Sequence, residues 1–198
     1  FARVPEGDFL PGKENVLRPA CELLGQILLS PATRGGLLLP QYVDSEKEKM
    51  LDIIRSRIGL ERRARVITPE QDIVEEYRQA GKHDVIIADE AQFFSPEQID
   101  QLRYLVDEED LPVLCFGLRT DFLTHFFPGA GRLMELADSI TEIKTVCACG
   151  RKATVNARID GQGRIITQGD QVFLGGNDSY VAMCHKCWKQ KIKEQENI

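Results

Sequence analysis

The chain of 198 residues is 42% hydrophobic and 28% charged, the balance of a folded globular protein rather than of a disordered or fibrous one. A formal charge of -6 at neutral pH argues against broad electrostatic attraction to nucleic acid or to anionic membrane. No run reaches the roughly eighteen apolar residues of a membrane span and no secretory signal pattern leads the chain, so the expectation is a cytoplasmic protein with neither nucleic acid nor membrane as partner.

Residues 1–48 mix Pro and Gly breakers with the apolar patches CELLGQILL and GGLLLP and the charged run SEKEK, without a repeat or a domain signature. GDFLPGKE spaces Gly7, Gly12 and Lys13 as a phosphate-binding loop does. Glu14, however, stands where a Ser or Thr hydroxyl should hold magnesium, Pro11 stiffens the turn, and no apolar strand precedes it, so the stretch reads as an irregular surface turn. The first residue, Phe1, makes the chain read as a fragment or a processed product.

From residue 66 the pattern becomes regular. Thr68, Pro69 and Gln71 form a capping box and Gly81 a stop, which predicts a helix over 69–80. DVIIAD is short, β-branched and apolar, the form of a strand buried on both faces. Ser95, Pro96 and Gln98 repeat the capping signal, with Ile99, Leu102, Leu105 and Val106 along one helical face. PVLCFGL, residues 112–118, predicts a second buried strand. Alternating helix and strand imply a parallel sheet with flanking helices, whose ligands gather at the carboxyl ends of the strands, where DEAQFF and GLRTDF fall. A helix near 129–137 and a strand at 140–146 follow. Residues 147–187 then change character, with a hairpin signal in DGQG, the strand-like runs ATVNARI and RIITQGDQVFL, and GGND. This predicts a small β-rich appendage on an α/β body.

Asp89 and Glu90 end the apolar strand side by side. A strand-end Asp has the form of a Walker B carboxylate, which holds magnesium beside a nucleotide's phosphates. The acid after it faces another way and can serve as a base on a hydroxyl. The plainer reading of such a pair is a solvated turn or a helix cap. Phe93 and Phe94 beside the acids, and Phe122, Phe126 and Phe127 after the next strand, offer flat apolar surfaces suited to a nucleobase; core packing is the alternative for any one of them. Cys147 and Cys149, in CAC, and Cys184 and Cys187, in CHKC, supply two thiol pairs to one metal. Four thiolates make a closed tetrahedral zinc site, a structural rather than a catalytic one, and His185 is a weaker ligand candidate than Cys187. An exposed redox pair is the other reading.

DEAQFF, PVLCFGLRTDF, LADSITEIKTVCACGRKAT and GGNDSYVAMCHKC, with SRIGL at 56–60, resemble the cytosolic, zinc-containing thymidine kinase family over about residues 50–190. The resemblance implies an α/β, P-loop-kinase-like core over residues 49–146 and a zinc-binding lasso with the tail over 147–198, leaving 1–48 unassigned. It implies transfer of the γ-phosphoryl group of ATP to the 5′-hydroxyl of thymidine or deoxyuridine, in pyrimidine salvage and DNA precursor synthesis, with Mg2+ and a structural Zn2+. Glu90 matches the family's general base, and Asp89, Glu90, Ala91 and Gln92 match a nucleotide-contacting segment. Phe93, Leu118 and Phe122 match the nucleoside pocket; Asn156, Gln171, Val172, Phe173, Leu174, Gly175 and Tyr180 match the substrate-facing side of the lasso, where Phe173 replaces a smaller aliphatic residue. The cysteines match the zinc ligands, and a homo-oligomer, dimer or tetramer, is implied.

The family opens with a strand and a loop ending in Gly-Lys-Ser or Gly-Lys-Thr, which residues 1–48 do not resemble; Asp44 and Asp52 are poor matches to a further family Asp near the metal. The expectation is that this stretch derives from a truncated or misassembled reading frame. A catalytically impaired nucleoside-binding or zinc-ribbon interaction protein is the alternative function.

Overall fold

The computed structural model describes residues 36–40, 53–55, 61–81, 83–172 and 179–196. Its organising element is strand β4 (Val85–Asp89), buried at every position before Asp89. β4 lies between β1 (Gly36–Pro40) and β5 (Val113–Cys115), parallel to both. Strand alternation sends Ile86 and Ala88 into one cluster with Ile67, Ile73, Ile99, Leu102, Leu105 and Leu111, and Val85 and Ile87 into a second with Ala64, Leu114 and Phe116. Burial on both faces is why the strand reads as an unbroken apolar run. β1 comes from the patch GGLLLP, inside the stretch without a domain signature, and runs in register from Gly36 opposite Val85 to Pro40 opposite Asp89. A short antiparallel pair, β2 (Ile53–Arg55) and β3 (Glu61–Arg63), precedes the helices.

Helix α1 spans Ile73–Ala80 and starts four residues later than the capping box at Thr68 predicts. Half of that box forms, since Thr68 N donates to Gln71 Oε1 at 2.7 Å. The carbonyls of Thr68 and Gln71, however, accept from the buried Gln98 side chain at 2.8 and 2.9 Å. Asp72 then caps the helix, its carboxylate accepting from Glu75 N at 2.9 Å, a preferred residue at that position.

Helix α2 (Pro96–Glu109) begins with the complete Ser95/Gln98 capping box and buries Ile99, Leu102 and Leu105. It is the crossover between β4 and β5 and packs against α3 (Pro128–Leu136). Gly129, in the first turn of α3, admits no side chain: a Cβ there would lie 2.2 Å from Phe94 O. β5 is shorter than 112–118, three half-buried residues. The chain nevertheless stays beside β4, with Phe116 N donating to Ala88 O at 2.8 Å and Ala91 N to Phe116 O at 2.9 Å.

Beyond residue 144 the elements are small: β6 (Thr145–Val146) pairs with β7 (Lys152–Ala153), and β8 (Val155–Arg158) with β9 (Tyr180–Met183), both antiparallel. The strand expected at 140–146 is thus reduced to two residues. DGQG makes its turn, Gly163 N donating to Asp160 O at 2.9 Å. The second strand-like run forms an isolated bridge, Ile165 to Ile159, with Ile166 N donating to Arg158 O at 2.9 Å; residues 166–172 form no ladder, and the carbonyls of Asp170 and Gln171 accept from Arg158 while the Gln171 side chain donates to Asp121. Val155, Ala157 and Ile165 form a core of their own, covered by Ile159, Met183, Trp188 and Ile192. Helix α4 (His185–Glu196) is pinned to it by Gln195, which accepts from Ile165 N at 2.7 Å and donates to Ile165 O at 3.1 Å. No helix among the described residues is long and apolar enough to cross a membrane.

Leu105 has no exposed surface, and Leu105→Ala is expected to lower the unfolding free energy by about 2–5 kcal/mol. Loss of the cap in Ser95→Ala should cost about 1 kcal/mol. Urea denaturation of the two variants beside the parent checks both the order and the sizes.

Candidate functional site

The acid pair sits where β4 stops. Glu90 adopts a left-handed conformation (φ 50°, ψ 37°), rare for a residue with a Cβ and a common mark of functional turns. Its N–H turns back onto Asp89 Oδ1 at 3.0 Å. Burial above all, and then the charge of Glu90, push the Asp89 carboxyl up to about 6, against the opposing effect of that N–H. The strand thus delivers one desolvated carboxyl and, beside it, a second one aimed differently by the kink.

Gln92 fixes the second. Its side chain is buried, donates from Nε2 to Glu90 Oε2 at 2.6 Å and accepts at Oε1 from Leu118 N at 2.9 Å. Both ends of the amide are engaged, so Gln92 orients Glu90 and ties the 90–93 turn to the segment after β5. Gly117 makes room for it, because a Cβ there would lie 2.3 Å from Gln92 Oε1. Ala91, in the 3-10 turn Ala91–Phe93, is buried.

The aromatic residues divide. Phe94 and Phe127 are core side chains, whereas Phe126 is 53% exposed. Phe93 is half-buried and meets the Phe127 ring edge to face, centroids 5.5 Å apart. Leu118 is half-buried. Phe122 lies in the interior under the guanidinium of Arg158, 3.8 Å from its ring centroid, a desolvated contact of the kind that contributes about 2 kcal/mol.

Arg158 is the residue that sequence reading missed. It ends β8 opposite Tyr180, and donates to Tyr180 Oη at 3.2 Å, Asp170 O at 3.0 Å and Gln171 O at 3.3 Å. Asp121, also missed, is buried and accepts at Oδ1 from Leu123 N and His125 N, 2.9 Å each. Its Oδ2 accepts from Gln171 Nε2 at 3.0 Å. Neither carried a sequence signal, since Asp121 follows Arg119 and Thr120 and Arg158 lies between Asn156 and Asp160. Phe122, Gln171 and Tyr180, expected to share a pocket, are thereby brought together. Asn156 is half-buried on β8 opposite Ala182, and Val172 is half-buried. Phe173, Leu174 and Gly175 lie outside the described residues, as do GDFLPGKE, SRIGL, GGND, Asp44 and Asp52.

The four cysteines converge. The sulfurs of Cys147, Cys149, Cys184 and Cys187 all lie within 4.8 Å of one another, and Cys149 and Cys184 are 3.7 Å apart. Tetrahedral zinc with bonds of about 2.3 Å sets sulfurs about 3.8 Å apart, so the cluster fits such an ion. The first pair sits on a turn in which Gly150, at φ +81°, donates its N–H to Cys147 O at 2.8 Å. The second opens α4, with Cys187 N donating to Cys184 Sγ at 3.5 Å. The Arg151 side chain and then its backbone N–H bring the Cys149 thiol down to about 6, and the Cys187 N–H lowers Cys184. Both effects favour the thiolate, whereas hydrogen bonding with the Cys149 and then the Cys184 sulfur pushes the Cys187 thiol up to about 12. His185 is exposed and meets Trp188 edge to face, leaving the ligand set to the four thiols. The cluster could hold a metal ion such as zinc.

A family model described as thymidine kinase matches residues 40–188. A thymidine kinase of Ruegeria pomeroyi is 48% identical over 140 residues, covering 69% of this chain and 71% of that protein. One from Shewanella oneidensis is 43% identical over 142 residues (70% and 74%), and one from Yersinia pestis 46% over 143 (71% and 73%). With its acid pair at the end of a parallel strand, the chain is a kinase, an enzyme of phosphoryl transfer. It belongs to the thymidine kinase family.

Burial pushes the isolated Cys115 thiol up to about 12, so it is not a thiolate at pH 8. Iodoacetamide at that pH should leave Cys115 unmodified in the folded protein and alkylate it after unfolding, as read by peptide mass spectrometry.

Proposed function

We propose that the chain transfers the γ-phosphoryl group of ATP to the 5′-hydroxyl of thymidine or deoxyuridine, with Glu90 as the general base. The observation that carries this reading is the left-handed turn that sets Glu90 off the end of a buried parallel strand and holds it through Gln92. With Oε2 tied to Gln92, the other carboxylate oxygen takes the hydroxyl proton as the 5′-oxygen bonds to the γ-phosphorus and the bond from that phosphorus to the bridging oxygen breaks, releasing ADP. Little covalent chemistry is asked of the protein in such a transfer, which rests on positioning and charge neutralisation. Asp89 and its neighbours through Gln92 form the nucleotide side of the site. Asp89 is suited to hold magnesium, which when bound would favour its ionised form against the cost of burial and supply neutralisation of phosphate charge.

Phe93 and Leu118, both half-buried, supply the apolar wall against the base, where stacking is worth about 1–3 kcal/mol, and Phe122, buried under Arg158, backs that wall from behind. Asn156, the run from Gln171 to Gly175, and Tyr180 face the pyrimidine from the other side, reading it through main-chain groups and excluding the larger purines. Residues 49–146 form the nucleotide-binding core, of the P-loop-kinase type. Residues 147–198 form the lasso and tail, folded around a structural zinc on Cys147, Cys149, Cys184 and Cys187. Four thiolates leave no open position on that ion. A cytoplasmic homo-oligomer, dimer or tetramer, acting in pyrimidine salvage completes the reading.

The test is phosphorylation of thymidine, deoxyuridine and deoxyadenosine with ATP by the parent chain and by Glu90→Gln. The pyrimidine nucleosides should turn over and deoxyadenosine should not. Glu90→Gln should lose about 10²–10⁴ in kcat, with thymidine affinity kept within a few-fold. A variant as fast as the parent would remove the base from its role.

Cys184→Ser should lower bound zinc from one ion per chain and unfold the 147–196 region first on heating, because metal binding and folding of so small a unit are coupled. Metal analysis beside circular dichroism reads both; full zinc content in the variant would contradict the ligand assignment.

A further inference from the structure

Two charged side chains are buried among the described residues, Asp121 at 5% and Arg158 at 4% exposure. They are expensive to desolvate without partners, and they converge on one residue. Arg158 Nη2 donates to the main-chain oxygen of Gln171 at 3.3 Å, while the Gln171 side chain donates to Asp121 Oδ2 at 3.0 Å. Gln171 is thus held from both ends, by β8 on one side and by the loop after β5 on the other. The same guanidinium lies over the Phe122 ring and reaches Tyr180 Oη and Asp170 O.

We propose that Arg158 is the positioning residue of the nucleoside pocket: its guanidinium locks residues 170–172 and Tyr180 against Phe122, so that the lasso's base-reading backbone is in place before the nucleoside arrives. This rests on the reading of Phe122, Gln171 and Tyr180 as pocket residues. Arg158 does not touch the reacting atoms in this account; it acts through the groups it holds. A planar fork that stacks through one face and donates along its edges is a property of arginine, which a lysine ammonium reproduces only in charge. Preorganisation of this kind lowers the ordering cost of binding, so its loss should fall on the nucleoside and spare ATP.

The experiment compares the metal-loaded parent with Arg158→Gln and Arg158→Lys by amide hydrogen exchange over residues 166–172, by KM for thymidine and for ATP, by kcat, and by bound zinc. Losing hydrogen bonds from a charged donor corresponds to about ten- to hundredfold in affinity, so Arg158→Gln should raise thymidine KM by that factor. ATP KM should stay within about twofold of the parent on the same scale, zinc content should be unchanged, and exchange at 168–172 should quicken. Arg158→Lys should fall between. Parent-like exchange and thymidine KM in both variants would overturn the proposal, as would equal rises in both KM values with loss of zinc, the signature of a merely structural residue. If Arg158→Gln does not fold, the same split or its absence in Arg158→Lys decides. If the parent chain does not phosphorylate thymidine, the kinase reading fails by itself, and the exchange data still show whether Arg158 orders residues 168–172.

Discussion

The architecture turns on the cost of bringing carboxylates out of a dry interior. β4 is flanked by parallel strands and covered on both faces, so its backbone is satisfied and its side chains are apolar until the last position. There the chain must change from a medium that excludes charge to one that uses it. Asp89 marks the boundary, its carboxyl pushed up to about 6 mainly by burial. The left-handed turn at Glu90 completes the change by ending the ladder and giving the second acid its own direction. Gln92 and Gly117 then make one rigid corner of β4, the 3-10 turn and the strand exit at Leu118. Every pocket residue assigned to the α/β body lies within a few positions of that corner.

The second half of the site depends on a much smaller unit. Val155, Ala157 and Ile165 and their cover are a meagre core, and units of this size usually require a disulfide or a metal. The four thiols answer that need, since they join the turn after β6 to the start of α4 at the two ends of the unit. The four-cysteine cluster draws one end of this unit together, while Arg158 and Asp121 tie its other end to the loop carrying Phe122. Residues 166–172 depend on those ties, because they form no ladder of their own.

What could be read from the sequence was local. The buried strand, the capping box at Ser95, the DGQG turn and the paired cysteines are each written within a few neighbouring residues, and each forms. The failures share a cause, which is competition from distant partners. The predicted start at Thr68 loses to Asp72 because Gln98, some thirty positions away, takes the carbonyls of Thr68 and Gln71. Of the strand expected over 164–174, the described residues 164–172 form only the bridge at Ile165, and Arg158 and Asp121 hold Asp170 and Gln171 instead. Arg158 itself resembles any surface arginine until Phe122 and Tyr180 are seen around it. β1 has no flanking periodicity, and its apolar patch acquires meaning only beside β4. The pairs Phe93/Phe94 and Phe126/Phe127 show the same limit: adjacent rings of identical type separate into half-buried, core and exposed positions that composition does not distinguish.

The central claim is that Glu90 accepts the proton of the nucleoside's 5′-hydroxyl. A crystal structure of the zinc-loaded chain with thymidine and a non-hydrolysable ATP analogue measures the relevant distance. The account predicts one Glu90 carboxylate oxygen at about 2.6–3.2 Å from the 5′-oxygen, with Gln92 still bound to the other. A 5′-oxygen bonded to a different side chain, with Glu90 turned out of the cleft, would contradict it.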